Sequence, residues 1–328
     1  MSEITDLLND YSKEIKRIID ENLSTIIPND LQEASIYLTN AGGKMIRPAL
    51  TLMVSESVVG GKEGSLNSAA AIELIHTFSL IHDDIMDDDD VRRGVPAVHK
   101  VWGNGVAILS GDTLFSKAFE LIITSDKTPI QNNQALATVA DACVQICEGQ
   151  ALDISFEGRY DVSEEEYMDM IFKKTGALIA AASKVGAIMG GADDKVISTM
   201  YEYGELIGLA FQIQDDYLDV VGDEKYIGKP VGSDIAKGKM TLMVVKTLNE
   251  ANEEDSQKLL KILKDSDSSK EDIDVAISIF EKYDSIQYTH DVALGNVNKA
   301  KELLKILPDS EAKNMLEKIA DFVLERDL

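Results

Sequence analysis

The chain is poor in residues that cross-link or punctuate a fold. Its 328 residues include 2 cysteines, 6 prolines and 1 tryptophan, and aromatic side chains account for only 6%. Cys143 and Cys147 lie four residues apart, with no histidine or second cysteine pair near them in sequence. This spacing could suit a metal pair, but isolated thiols of this kind are more typical of core packing. Two cysteines exclude a disulfide scaffold and favour a reducing compartment.

Long apolar runs are also missing. No stretch reaches the roughly 18 uninterrupted apolar residues that indicate a membrane helix. The apolar segment from Ala177 to Met189 is shorter than this and carries Lys184. Met1 to Asp6 shows neither the basic start nor the apolar core of a signal peptide. We therefore expect a cytoplasmic protein without stable membrane insertion.

Positive charge is scarce. Lysine and arginine together number 32 against 58 aspartates and glutamates, which gives a formal net charge of −26. Such a chain repels phosphate backbones and anionic lipid surfaces, so nucleic acid is not an expected partner. Most of this acidity is explained by solubility. Solubility does not explain why aspartates are concentrated at two places.

Alternating strand patterns are absent, whereas alanine, leucine, isoleucine, glutamate and lysine recur at helical spacing. We predict an all-α fold with one domain over residues 1–328, since neither a linker nor a short repeat is evident. Long predicted helices at 66–87 and 194–221 carry the aspartate clusters, which suggests a helical bundle with its site in the core. Residues 92–104 are expected to connect helices. The glycine- and lysine-rich stretch 222–239 is expected to be a functional loop.

Two aspartate motifs share the pattern Asp-Asp-x-x-Asp. The first comprises Asp83, Asp84 and Asp87 and continues to Asp90; the second, in its own helix, comprises the aspartates at 215, 216 and 219. On a helix the first and last aspartates of each motif share a face. Like charges so close repel one another, so folding alone gives no reason for them. Two such faces turned toward each other would bind hard cations and, through them, a diphosphate.

Basic residues lie close in sequence to the first motif. Arginine occurs only six times, yet three copies are Arg47, Arg92 and Arg93. A guanidinium fork binds phosphate directly, so these residues could hold a second diphosphate. Alternatively, Arg92 and Arg93 only neutralise the neighbouring acids. His76 lies about two helical turns before Asp83 and could donate to a phosphate, although a lone histidine on an apolar helix is more often a core residue.

Taken together, these segments resemble the trans-isoprenyl diphosphate synthases of the polyprenyl synthetase family. Order and spacing agree from about residue 40 to 245, and the remainder matches only in being helical. The matching segments are Gly42-Gly43-Lys44-Met45-Ile46-Arg47-Pro48, His82-Asp83-Asp84-Ile85-Met86-Asp87 with Arg92-Arg93-Gly94, Lys174-Thr175, Phe211-Gln212-Ile213-Gln214-Asp215-Asp216-Tyr217-Leu218-Asp219, Gly228-Lys229, and Asp234 with Gly238-Lys239-Met240-Thr241.

The resemblance implies a large helical bundle around a deep cavity, in a homodimer, with the loop 222–239 closing over the site. It implies Mg²⁺ as cofactor, with about three ions per active site when substrate is bound. The implied metal ligands are Asp83, Asp87 and Asp215, supported by Asp84 and Asp219. The implied contacts to an allylic diphosphate are Arg92, Lys174, Thr175, Gln212, Lys229 and Lys239. The implied contacts to isopentenyl diphosphate are Lys44, Arg47, His76 and Arg93.

The implied activity is that of a prenyltransferase. It would condense isopentenyl diphosphate with dimethylallyl, geranyl or farnesyl diphosphate by magnesium-assisted ionisation, condensation and proton elimination. The residues expected to be catalytic are Asp83, Asp87, Asp215, Arg92, Lys174 and Lys229. The sequence offers no obvious nucleophile–base pair, in agreement with this chemistry.

Product length in this family depends on side chains about one turn before the first aspartate. Here these are Phe78 and Ser79, five and four residues before Asp83. At about 1.5 Å per residue, Phe78 lies about 7.5 Å below the metal ligands along the helix axis. This pattern resembles that of archaeal short-chain synthases, which implies geranylgeranyl diphosphate, with farnesyl diphosphate as a second product. The alternative is that Phe78 is an ordinary core residue.

Other classes of protein remain open at this point. A non-catalytic regulatory subunit of a heteromeric prenyl synthase would keep the fold, but it would not need both motifs and the full basic set. A class I terpene cyclase needs a metal-binding aspartate motif but no second diphosphate site, so Lys44, Arg47 and Arg93 argue against it. A simple acidic cation-binding protein would not need Phe211, Gln212 and Ile213 before its second aspartate pair.

Overall fold

The computed structural model describes residues 2–59, 61–222, 230–265 and 267–325, and most of them are helical. The helices are α1 Ser2–Leu23, α2 Asn29–Asn40, α3 Ile46–Val59, α4 Leu66–Met86, α5 Val98–Ile123, α6 Pro129–Phe156, α7 Glu164–Ile171, α8 Ala177–Gly190, α9 Asp194–Val221, α10 Ser233–Ala236, α11 Leu242–Glu250, α12 Glu253–Leu263, α13 Lys270–Lys282, α14 Ser285–Leu303 and α15 Glu311–Glu325. Short 3₁₀ turns occupy Glu63–Ser65 and Leu304–Ile306, and one π turn, Phe172–Gly176, joins α7 to α8. Within these residues, no helix is long and apolar enough to cross a membrane.

The segment 92–104 differs from the expected simple connection. It begins in a small antiparallel hairpin, β1 Val91–Arg92 with β2 Val95–Pro96, and α5 already starts at Val98. Gly103 interrupts α5 with φ 78° and ψ 161°, a conformation that glycine adopts without a steric penalty. The glycines and the proline therefore mark real breaks, but the chain forms a hairpin and a kinked helix between them.

Contacts divide the chain into two compact units, each built from three stretches. The first unit comprises Met1–Cys143, Leu178–Tyr201 and Leu304–Lys318, and the second comprises Val144–Ala177, Glu202–Leu303 and Ile319–Leu328. The first aspartate motif belongs to the first unit, and the second motif belongs to the second unit.

The core of the first unit is formed around α4, which packs along α5 and also contacts α1 and α3. The alanines at positions 69 to 71 are buried, and their small side chains allow neighbouring helices to pack close to this part of α4. Helix α8 approaches α3 closely, because a Cβ on Gly186 would lie only 2.5 Å from the Thr51 carbonyl oxygen. The Thr51 hydroxyl donates to the Ala182 carbonyl at 3.0 Å across the same contact. The aspartates of the first motif thus lie at the end of a helix that is itself largely buried.

The second unit has its own apolar cluster. Side chains from α7, α9 and the helices α11 to α14 contribute, with Tyr167, Ile213, Leu242, Leu259 and Phe280 among the buried members. Helix α7 starts at a complete capping box, in which Ser163 and Glu166 satisfy each other's backbone N–H groups. This fixes the start of the helix that leads into the π turn.

Candidate active site

The first motif lies at the C-terminal end of α4. The Asp87 N–H donates to the Asp83 carbonyl at 2.8 Å, so the helical turn continues through the motif. Asp83 is half-buried and Asp87 is exposed, one turn apart. Two carboxylates therefore lie on one face of the helix end, where water and ligands have access to them.

Asp84 differs from its neighbours because its side chain is fully buried, with 0% exposure. Its Oδ1 accepts a hydrogen bond from Arg92 Nε at 2.6 Å and contacts Arg92 Nη2 as well. Its Oδ2 is buried and accepts no hydrogen bond from the described residues. Burial raises the pKa of Asp84, and Arg92 acts in the opposite direction. Asp84 thus holds Arg92 of the hairpin, and retains one oxygen for a water molecule or a cation.

Arg93 is held by a separate set of groups in the first unit. Its Nη1 donates to the Leu38 carbonyl at 2.9 Å, and its Nη2 donates to Glu73 Oε1 at 3.2 Å. Glu73 is almost completely buried, and burial raises the pKa of this carboxyl against the lowering effect of Arg93. The loop before α3 closes over the guanidinium, since a Cβ on Gly43 would lie 3.1 Å from Arg93 Cζ. Only glycine fits this approach without displacing Arg93.

Arg47, His76 and Arg93 together form a basic cluster, since the charges of both arginines act on His76. Arg47 Nη1 lies 3.3 Å from His76 Nε2, and since guanidinium only donates, that ring nitrogen is the acceptor. The remaining ring proton is then on Nδ1. Burial, followed by the charges of Arg47 and Arg93, holds the pKa of His76 well below its usual value, so the ring is neutral at pH 7. Lys44 is exposed in the preceding loop.

An aromatic cluster lies one turn below the first motif. The Phe78 ring packs edge-on against His82, with 4.8 Å between ring centroids, and against Phe115 of α5 at 5.3 Å. Phe119 follows at 5.0 Å from Phe115. Ser79 points its hydroxyl back to the His76 carbonyl, at 2.8 Å. Phe78 is therefore one member of a ladder of rings shared by α4 and α5.

The second motif lies near the end of α9. Asp215 is half-buried, whereas Asp216 is 6% exposed. Tyr167 donates its hydroxyl to Asp216 Oδ2 at 2.7 Å, and Gln212 Nε2 donates to Oδ1 at 3.0 Å. Burial and the nearby charge of Asp234 raise the pKa of Asp216 to about 7, against the lowering effect of the two donors.

Asp219 is also buried, and its carboxylate is directed to the first turn of α10. Its Oδ1 accepts from the Ser233 hydroxyl at 2.6 Å, and its Oδ2 accepts from the Asp234 N–H at 3.0 Å. The expected supporting metal ligand thus anchors the second half of the glycine- and lysine-rich loop. Lys239 is exposed at the end of that loop, and Lys229 lies outside the described residues.

Lys174 and Thr175 lie in the π turn between α7 and α8. Lys174 Nζ donates to Asp153 of α6 at 2.5 Å, and the Thr175 hydroxyl donates to Gln212 Oε1 at 2.9 Å. Such π turns accommodate one extra residue and occur frequently at functional sites.

Two close backbone approaches enclose this turn. A Cβ on Gly149 of α6 would lie 2.2 Å from the Lys174 nitrogen, and one on Gly208 of α9 would lie 2.5 Å from Gly176 Cα. Glycine at these positions allows both helices to pack directly on the backbone of the turn. The positions of Lys174 and Thr175 are therefore determined by main-chain packing.

Sequence reasoning missed several partners of the predicted residues. Glu73 had one usable signal, since it is a charged residue within an apolar stretch and lies three residues before His76. Tyr167, Asp153 and Phe115 had none, because their partners are 21 to 49 residues away in the chain, or on another helix. Their roles depend on tertiary packing.

Magnesium is the cation that the family resemblance implies. Among the residues that the structure describes, no three histidine, cysteine, aspartate or glutamate side chains form a ready-made metal site. Mg²⁺ typically binds one or two carboxylates together with water and substrate phosphate oxygens. Asp83 and Asp87, accessible and one turn apart, match that donor set.

Comparison with known proteins identifies the family. Residues 28–280 match the polyprenyl synthetase family. The chain is 57% identical over 327 residues to the short chain isoprenyl diphosphate synthase of Methanothermobacter thermautotrophicus, covering 100% of both chains. It is 41% identical to the geranylgeranyl diphosphate synthase of Methanosarcina mazei, covering 99% of this chain and 98% of the relative. The crystal structure of a geranylgeranyl pyrophosphate synthetase from Pyrococcus horikoshii is similar with a TM-score of 0.95 and 44% identity, over 99% of each chain.

The chain therefore belongs to the polyprenyl synthetase family. The predicted all-α architecture is confirmed, and so is the predicted enzyme class, a prenyltransferase of the isoprenyl diphosphate synthase type.

Proposed function

We propose that this enzyme condenses isopentenyl diphosphate with dimethylallyl, geranyl and farnesyl diphosphates, and that its main product is geranylgeranyl diphosphate. The observation that carries the proposal is the basic cluster of Arg47, His76 and Arg93 in the first unit. A terpene cyclase has no use for a second diphosphate site. A condensing enzyme must hold isopentenyl diphosphate beside its allylic substrate, and this cluster provides the charge to do so.

The neutral His76 ring has one nitrogen that accepts and one that donates, so its orientation determines where a phosphate oxygen can bind. With Nε2 accepting from Arg47, the Nδ1–H is the donor available to a phosphate oxygen. Arg93, fixed by Glu73 and Leu38, offers the remaining N–H groups of its guanidinium. We propose that Lys44, Arg47, His76 and Arg93 bind isopentenyl diphosphate by these donors.

The allylic diphosphate is proposed to be the group that departs. Arg92, Lys174, Thr175, Gln212, Lys229 and Lys239 are proposed to hold it. Asp83, Asp87 and Asp215, with Asp84 and Asp219 in support, are the proposed magnesium ligands. When bound, magnesium would neutralise the negative charge that develops on the leaving diphosphate. Arg92 contributes positive charge to the same diphosphate, because Asp84 fixes its guanidinium in position.

The remaining chemistry needs little from the side chains. The alkene of isopentenyl diphosphate attacks the allylic cation, and a proton is then lost, for which the departed diphosphate is the proposed acceptor. Exclusion of water protects the cation, and we propose that loop 222–239 provides it by closing over the site. Residues 223–229 of this loop lie outside the described residues, and Asp219 holds its second part at Ser233 and Asp234.

Product length is proposed to be limited by Phe78. Its ring is braced against Phe115, so it cannot swing aside without disturbing α5. We propose that this brace stops growth at geranylgeranyl diphosphate and yields farnesyl diphosphate as a second product.

We further propose a cytoplasmic homodimer. Helix α5 exposes Val101, Ile108, Leu109 and Ile123, an apolar set that a second copy of the chain would cover. The two cysteines are not joined by a disulfide, in keeping with a reducing compartment.

The test is turnover by the purified chain alone. Labelled isopentenyl diphosphate and Mg²⁺ are combined with each allylic primer in turn, and the products are sized by chromatography. We expect C20 product from all three primers, and no product when a chelator removes the metal. A chain that is inactive alone but activates an added synthase would support the regulatory-subunit reading. Conversion of an allylic diphosphate without isopentenyl diphosphate to a cyclic hydrocarbon would support a cyclase.

A further inference from the structure

A chain of hydrogen bonds in the second unit connects α7, the π turn and α9. Tyr167 donates to Asp216 Oδ2 at 2.7 Å, Gln212 donates to Asp216 Oδ1 at 3.0 Å, and Thr175 donates to Gln212 Oε1 at 2.9 Å. Gln212 and Thr175 have proposed roles in substrate binding. Tyr167 and Asp216 have none, although they hold the other end of the chain.

The two unassigned residues are the buried ones. Tyr167 is 1% exposed and Asp216 is 6% exposed, whereas Gln212 and Thr175 are half-buried. Adjacent residues on a helix point about 100° apart, which explains why Asp216 faces inward while Asp215 does not. Each oxygen of the Asp216 carboxylate has a protein donor. The carboxylate is thus committed to protein contacts.

The Gln212 amide takes one orientation between its two partners. Its NH₂ group faces Asp216 Oδ1, and its carbonyl oxygen accepts from the Thr175 hydroxyl. A flipped amide would place its carbonyl oxygen against an Asp216 oxygen and would reverse the bond to Thr175, so that the threonine hydroxyl accepts and no longer donates. Tyr167 prevents Asp216 from rotating, because it holds the oxygen that Gln212 does not use.

We infer that Tyr167 and Asp216 are positioning residues for the allylic diphosphate. They fix the amide of Gln212 and, through it, the hydroxyl of Thr175. This inference rests on the proposed function, in which Gln212 and Thr175 contact that substrate. Without the Tyr167 hydroxyl, the Asp216 side chain can rotate. Gln212 and Thr175 are then ordered only when the allylic substrate binds, and the entropy lost in ordering them weakens that binding. Binding of isopentenyl diphosphate does not use these groups.

The primary variant is Tyr167→Phe, and the matched control is Tyr283→Phe. Tyr283 also donates its hydroxyl to an aspartate of the second unit, Asp255, at 2.8 Å. Neither Tyr283 nor Asp255 has a proposed role in substrate binding. Both exchanges remove one hydroxyl that donates to a carboxylate of the second unit, although the Tyr283 hydroxyl is less buried and also accepts from the Asn252 N–H.

The readout is the Michaelis constant for each substrate, measured separately at saturating concentration of the other. For Tyr167→Phe we expect the KM for geranyl diphosphate to rise about three- to tenfold, the fold-change that corresponds to the net contribution of one ordinary hydrogen bond. The KM for isopentenyl diphosphate should stay within about twofold. Tyr283→Phe should leave both constants within about twofold. Equal rises in both constants for Tyr167→Phe, or no rise in either, would overturn the inference.

A double-mutant cycle tests whether Tyr167 acts through Gln212. If it does, Tyr167→Phe should change the KM for geranyl diphosphate less than about twofold in a Gln212→Ala background. Fully independent effects would refute a connection between them. If Tyr167→Phe does not fold, Asp216→Asn takes its place in the same cycle, since it keeps the side-chain size and replaces one acceptor oxygen by a donor. Absence of turnover by the unmodified enzyme would instead contradict the proposed function.

Discussion

Replacing Gly149 by alanine should disturb the π turn that its backbone supports. The added Cβ would lie 2.2 Å from the Lys174 nitrogen and 2.6 Å from the Lys173 carbonyl carbon and from Lys174 Cα. These are backbone atoms, so rotation of a side chain cannot relieve the clash. Either α6 or the π turn must move.

The expected magnitude follows from two opposing effects. Alanine is favoured over glycine in a helix interior by about 1 kcal/mol. Overpacking costs about 1–3 kcal/mol, and a backbone clash belongs at the upper end of that range. The net loss of stability is then about 2 kcal/mol. With an unfolding entropy of about 2.1 cal/mol/K per residue, this lowers the Tm of a chain of this length by about 3 °C.

The chain contains a matched control in Gly295. This glycine also lies inside a helix of the second unit, α14, but nothing lies within 4 Å of a Cβ added to it. Gly295→Ala gains the helix propensity without the clash, so its Tm should rise by about 1 °C. Glycine-to-alanine substitution should therefore lower the Tm at position 149 and raise it at position 295.

Thermal unfolding and steady-state kinetics together test this reasoning. Because the π turn carries Lys174 and Thr175, Gly149→Ala should also raise the KM for geranyl diphosphate by about fivefold or more, the effect of weakening at least one charge-assisted contact. Gly295→Ala should leave it unchanged. A Gly149→Ala enzyme with the stability and kinetics of the unmodified protein would show that the turn does not depend on this close approach.

Three further outcomes are expected. Phe78→Ala should lengthen the product because it removes the ring braced on α5, and chromatography showing an unchanged chain length would contradict this role. Asp83→Ala and Asp215→Ala should each lower turnover at least about 10³-fold, and near-normal rates in either would argue against a metal site there. His76 stays neutral in the fold, so acidification from about pH 6.5 to 5.5 favours the unfolded state, which takes up the proton. Relative to His76→Gln, the native enzyme should lose up to about 1.4 kcal/mol over that unit in urea unfolding, and parallel pH profiles would refute the assignment.

The two helices that carry the aspartate motifs could be predicted from the sequence because helical periodicity is a local property. The predicted helix at 66–87 is observed as Leu66–Met86, and the one at 194–221 is observed as Asp194–Val221. The π turn could not be predicted. It depends on Gly149 and Gly208 approaching the same backbone from different helices, and each glycine alone resembles an ordinary weak point in a helix.

The residue types of the candidate site could be predicted from the sequence, but the contacts between those residues could not. Spacing placed Asp83 and Asp87 on one face, and the helical turn between them is observed. It could not separate them from Asp84, which is fully buried against Arg92. Charge alone makes the three aspartates of this motif look alike. Burial distinguishes them, and burial is set by the hairpin that brings Arg92 back to α4.

The inward orientation of Asp84 has a consequence for how this sequence could diverge. Asp84 and Glu73 of α4 hold Arg92 and Arg93 of the hairpin, whereas Asp83 is half-buried and Asp87 is exposed. A duplicated copy of the gene could therefore lose its proposed metal ligands by Asp-to-Asn changes, each a single nucleotide, and still fold. An inactive sister subunit is thus only a few mutations away from an active synthase. Retention of Asp84 without Asp83 would be the mark of such a history.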